Sequence, residues 1–193
     1  MKDLGFAANL DTFEALTQAY AEPQRFYHNQ VHIQAVLAHF DSVHALARQP
    51  EEVELAIWFH DAIYDPHFAS NEKDSADWAA RFMRDNAAKP EAIERVYQLI
   101  MATLHDAQVE SADAKLLVDM DLSILGASDP VYDAFESDVR QEYEWVPLPL
   151  FKAKRKDILQ GFLQREPLYQ TDYFHNKLEA QAKANLRRTI ALL

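Results

Sequence analysis

Two side chains capable of chemistry stand side by side in an apolar run, His60 and Asp61 in LAIWFHDAIYD. An imidazole and a carboxylate buried without partners each cost roughly 2 kcal/mol or more, so something must satisfy them. A divalent metal ion does this for both at once. The chain holds no cysteine, which removes thiolate ligands, thiolate nucleophiles and disulfides, so a metal must be held by nitrogen and oxygen. Two flanking segments supply such atoms: YHNQVH, with His28 and His32, and VDMDLSILG, with Asp119 and Asp121. His28 and His32 are four residues apart and project from one helix face a turn apart. Asp119 and Asp121 lie about 200° apart around a helix, so one of them serves as a ligand and the other sits at the surface or supports the site.

Helices must position these groups, because apolar residues recur at helical spacing nearly throughout. Phe6, Leu10, Phe13, Leu16 and Tyr20 mark a segment over 6–21, stopped by Pro23. Ile33, Val36, Leu37, Phe40 and Val43 mark 30–48. In 51–63, Glu51 and Glu52 suit a helix N-terminus, and Val53, Ala56, Ile57 and His60 share a face that points His60 into the core. Further helices are predicted over 71–88, 90–104, 112–124, 129–145, 148–165 and 172–192, with the polar stretch HDAQVESAD before the sixth and Gly126 ending it. Strand-like alternation is missing. The pattern predicts an all-α chain of about seven to nine helices, forming one domain over 1–193.

Composition narrows the function by exclusion. Three glycines in 193 residues leave no dinucleotide fingerprint, phosphate-cradling loop or glycine-flanked nucleophilic serine. A formal charge of -12 opposes a broad nucleic-acid or anionic-membrane footprint. No signal-peptide core and no run of ~18 apolar residues is present, so a cytoplasmic protein without nucleic-acid or membrane partners is expected. Apolar helix faces serve cores and dimer interfaces alike, which leaves a homodimer open.

The order His, then His-Asp, then Asp resembles the HD superfamily of metal-dependent phosphohydrolases, all-helical proteins. The wording is most similar to a bacterial branch of predicted HD phosphohydrolases with segments like YHN..HI, FHDAIYD, NE..SA and D.DLSILG; here these span residues 27 to 126. The start Tyr27-His28-Asn29 and the triplet Asp121-Leu122-Ser123 also resemble cyclic-nucleotide phosphodiesterases. The resemblance implies His32, His60, Asp61 and Asp121 as metal ligands, with Asp121 preferred to Asp119 and His28 as the acid for the leaving oxygen. It implies hydrolysis of a phosphate ester of a small molecule, such as a nucleotide, by a metal-activated water. Ligands of this kind suit Mn²⁺, Mg²⁺, Fe²⁺, Co²⁺, Ni²⁺ or Zn²⁺ without choosing among them.

Other residues extend this reading. His105 lies where members with two metals carry additional histidines, and it reads here as a supporting or substrate contact. Asp65 resembles an acidic position that follows the His-Asp pair in hydrolases of guanosine tetraphosphate, where it can orient water; before Pro66 it equally reads as a turn former. Glu72 falls in the NE..SA segment, as a supporting carboxylate or a favourable first-turn acid. Arg25, Lys73 and Arg140 are candidate phosphate contacts, with solvent-facing charge as the plainer reading. The basic run Lys152, Lys154, Arg155 and Lys156 reads as a solvated helix face, and His39, His44 and His175 as structural. Two alternatives share the ligand order: a di-iron oxygenase of the same type, which needs two irons, and a module that binds metal or nucleotide without turnover.

Overall fold

Proline and acidic residues open most of the helices, as their chemistry at an N-terminus dictates. The computed structural model describes residues 10–105 and 109–193, and among them are nine α-helices and no strand. They are α1 (Leu10–Ala19), α2 (Gln30–Val43), α3 (Pro50–Phe59), α4 (Asn71–Asp85), α5 (Pro90–Met101), α6 (Ala112–Asp121), α7 (Asp129–Glu142), α8 (Leu148–Gln164) and α9 (Asp172–Leu192). Short 3-10 turns extend α2, α5 and α6. Phe6 and residues 106–108 of the predicted polar stretch lie outside the described residues.

Two units are distinguished, one ending at Val118 and one starting at Asp119, and α6 runs unbroken through the boundary. In the first, α3 packs against α2, α4 and α5, and α4 lies along α5. Its core includes Leu16, Tyr20, Ile33, Phe40, Ile57, Phe59, Met83 and Ile100, each contributing roughly 1.5–3 kcal/mol through burial. Two polar ties fix α3 within this core. Asp113 accepts the N–H groups of Arg48 and Gln49 at 2.7 and 3.0 Å, satisfying donors before the first turn of α3. Buried Glu52 takes a bidentate pair from Arg95 on α5 at 2.8 and 2.7 Å.

In the second unit α9 packs on α8 and on the turn Leu122–Gly126. A Cβ at Gly126 would lie 2.6 Å from the Leu178 Cβ, so the turn can approach α9 only with glycine there. Asn185 of α9 donates to the carbonyls of Leu125 and Ala127, both at 2.9 Å.

One boundary differs in a way that matters. The third predicted segment runs to 63, but α3 ends at Phe59, and His60 is its C-cap. Residues 60–63 form a tight turn, with the Ala62 N–H on the Phe59 carbonyl at 3.0 Å and the Ile63 N–H on the Ser75 hydroxyl of α4 at 3.0 Å. Adjacent residues inside a helix diverge by about 100°, and leaving the helix here lets His60 and Asp61 converge.

Candidate metal centre

His32 lies in the first turn of α2, one turn past the Asn29 cap whose side chain accepts the Val31 N–H at 2.8 Å. His60 closes α3. Both are buried, and their Nε2 atoms face each other at 3.1 Å. Asp61 Oδ2 sits 3.2 Å from the His60 nitrogen and 3.5 Å from that of His32.

The His60 Nδ1 lies 2.8 Å from the Ile57 carbonyl. A carbonyl only accepts, so Nδ1 carries a proton, and Nε2 faces His32 and Asp61 as a donor while the ring is protonated and as a ligand atom once that proton is lost. Three electron-rich atoms this close repel unless a proton or a cation lies among them. Neighbouring ligand atoms around an octahedral ion with bonds of about 2.1 Å are about 3 Å apart, so the spacing fits a divalent ion held by one face. Asp121 ends α6 and belongs to the second unit. No protein-family model, curated protein or solved structure matches this chain.

Around the centre, charges oppose one another. Burial pushes the Asp61 carboxyl up; the charge of His60, hydrogen bonds from His32 and His60 and the charge of His28 outweigh it and hold the group well below the usual carboxylate range. Glu72, in the first turn of α4, moves the other way. Burial and the charge of Asp61 raise it, against its own backbone N–H and the charges of His105 and His28. Asp61, Glu72, His28 and His105 therefore share one electrostatic neighbourhood. The His28 ring is half-buried and stacks on Tyr64, with centroids 4.2 Å apart and planes at 25°. His105 stands in the left-handed conformation with φ 56°, where the 3-10 turn after α5 ends.

A folded pKa above the unfolded value means that Glu72 supports the fold most below the ordinary glutamate range, and that this support is lost as pH rises through the folded value. Glu72→Gln is therefore expected to gain thermal stability relative to the wild type as pH rises from about 4 to about 7. Melting curves in the presence of a chelator check this, and a gap that stays constant or reverses would contradict it.

Other predicted contacts have plainer roles. The Asp65 carboxylate accepts both the backbone N–H and the ring Nδ1 of His67, at 2.9 and 2.7 Å, while Asn71 bonds its N–H and carbonyl, both at 3.0 Å. These contacts fit the turn-former reading, and the His67 contacts hold the carboxyl below its usual range. Lys73 is exposed and pairs with Asp77 one turn on, at 2.6 Å. Arg140 lies in the second unit, where it donates to the carbonyls of Tyr143, Glu144 and Val146 and closes the end of α7. Arg25 is buried, with its guanidinium bonded to Glu22 and to backbone carbonyls rather than turned to solvent.

Sequence reasoning missed the task of Asp119. It is fully buried and accepts the Gln170 N–H, the Thr171 N–H and the Thr171 hydroxyl at 2.9, 2.7 and 2.6 Å, anchoring the start of α9 within the second unit. Its neighbours Leu117, Val118 and Met120 were the available signal, since an aspartate among them has to find donors.

Proposed function

We propose that this chain is a metal-dependent phosphohydrolase of the HD type, cleaving a phosphate ester of a small molecule, with a nucleotide as the first candidate. The observation that carries the reading is the pair of facing imidazole nitrogens at 3.1 Å with the Asp61 carboxylate beside both. His32, His60, Asp61 and Asp121 would hold the ion. When bound, a divalent ion lowers the pKa of a water molecule and offsets charge on the phosphoryl group.

The remaining steps fall to the chain's own residues. Water adds to phosphorus, the bond from phosphorus to the leaving oxygen breaks, and that oxygen takes a proton. His28 would be the donor in this reading, its ring held against Tyr64. In this reading Glu72, whose carboxyl burial raises, would take up the proton that the attacking water gives up. A net charge of -12 opposes a polyanion spread over the surface and leaves room for a small phosphorylated substrate held in one local pocket. No helix of the described residues is long and apolar enough to cross a membrane, and a cytoplasmic location accords with this proposal.

Metal-stripped protein reloaded with Mn²⁺ or Co²⁺ is expected to bind one ion per chain and to hydrolyse a nucleotide or a simple phosphate ester in a screen, with chelation abolishing turnover. Two irons per chain with oxygen-dependent chemistry would replace this reading by the oxygenase. Tight nucleotide binding without turnover on any metal would replace it by a sensor.

A further inference from the structure

We infer that Arg25 is a positioning residue that acts on the metal centre through Asp61. Its side chain is 1% exposed, and its guanidinium reaches three carbonyls on two segments: Asp61 at 2.6 Å, Ala62 at 3.0 Å and His28 at 3.2 Å. The Nε–H is held by Glu22 at 2.9 Å. Tyr20 and Tyr64 lie 5.3 and 5.6 Å from the guanidinium carbon, and Tyr64 is the ring that stacks on His28.

The carbonyls past the end of α3 have lost their helical partners and need donors from elsewhere. Arg25 supplies donors to two successive ones. Fixing the carbonyls of residues 61 and 62 fixes the peptide planes on both sides of Ala62 and, with His60 tied to Ile57, the direction in which the Asp61 side chain leaves the turn. The same cation ties the His28 backbone to this turn, so the candidate acid and the candidate ligand share one anchor. A planar guanidinium spans these acceptors, whereas a lysine ammonium is a single point that cannot bridge them in the same way.

The inference rests on the metal reading of the site but not on hydrolysis, so the test reads metal binding. Co²⁺ is titrated by its visible absorption and by calorimetry into the wild type, Arg25→Lys, Asp61→Asn and the double variant. Circular dichroism in chelator reports folding. Arg25→Lys is expected to weaken Co²⁺ by about tenfold, the usual scale for a group that orients a ligand, and to shift the cobalt spectrum. In the Asp61→Asn background the same change is expected to cost less than about twofold, because the path through Asp61 is already broken. Arg25→Ala with added ethylguanidinium is the second measurement, expected to recover affinity where ethylammonium does not. Equal losses in both backgrounds, no loss at all, or failure of both Arg25 variants to fold without metal would overturn the inference in favour of a general structural role. Co²⁺ binding without hydrolysis of any ester would sink the proposed function and leave Arg25 standing; absence of Co²⁺ binding by the wild type would sink both.

Discussion

Asp61→Ala is expected to lower kcat/KM for phosphate-ester hydrolysis by at least about 10³-fold, corresponding to about 4 kcal/mol of transition-state stabilisation. The side chain is an anionic group beside both imidazoles, and its oxygen lies 3.2 and 3.5 Å from their nitrogens. In the proposed reading its loss removes a ligand and one negative charge beside the ion. The fold should persist, because Asp61 is in a turn whose backbone is held by Arg25 and Ser75.

Stability should nonetheless change with pH in a defined direction. A carboxyl held below its usual range supports the fold above the unfolded pKa of about 3.9, and this support disappears as pH falls through the folded value. Metal-free Asp61→Ala is therefore expected to melt below the wild type at neutral pH, with the gap narrowing in acid. Steady-state kinetics with metal content measured on the same samples checks the first part, and melts across pH check the second. Activity within tenfold of the wild type, at full metal occupancy, would remove Asp61 from the centre.

Much of the all-α architecture could be read from periodicity alone. The last helix occupies the predicted 172–192, because Pro167 and Asp172 punctuate its start in the local sequence. The convergence of His32, His60 and Asp61 was likewise legible, since apolar neighbours force these groups inward and the motif order supplies the rest. The end of α3 was not. Ala62 and Ile63 continue an apolar run that periodicity counts as helix, while the turn there depends on Ser75 and Arg25, which lie 12 and 37 residues away in the chain. Arg25 is a second case: read from sequence as a phosphate contact or a solvent-facing charge, it is buried, and its carbonyl partners on distant segments are what the local pattern does not report. Local pattern reports which groups leave water, and only tertiary contacts report what satisfies them.

Asp119 and Asp121 are the sharpest test of that distinction, because two aspartates one residue apart are expected to fail in opposite ways. Asp119→Ala strands two backbone N–H groups and a hydroxyl, at about 1 kcal/mol each, and should destabilise the second unit by about 2–3 kcal/mol. The lower figure allows for relief of a burial cost. Burial raises the Asp119 carboxyl although three hydrogen bonds lower it, so its ionised form already weakens the fold as pH rises through the folded value. Asp121→Ala should change stability by less than about 1 kcal/mol, as for a partly exposed side chain, and weaken Co²⁺ by at least about a hundredfold, beyond the loss expected for a supporting group. Urea unfolding in chelator and Co²⁺ titration on both variants separate the two effects. If Asp119→Ala were the variant to lose metal, with Asp121→Ala binding normally, the last ligand would be reassigned. The physical reason would then have to be found in a turn of α6 about its axis that moves Asp119 away from Thr171.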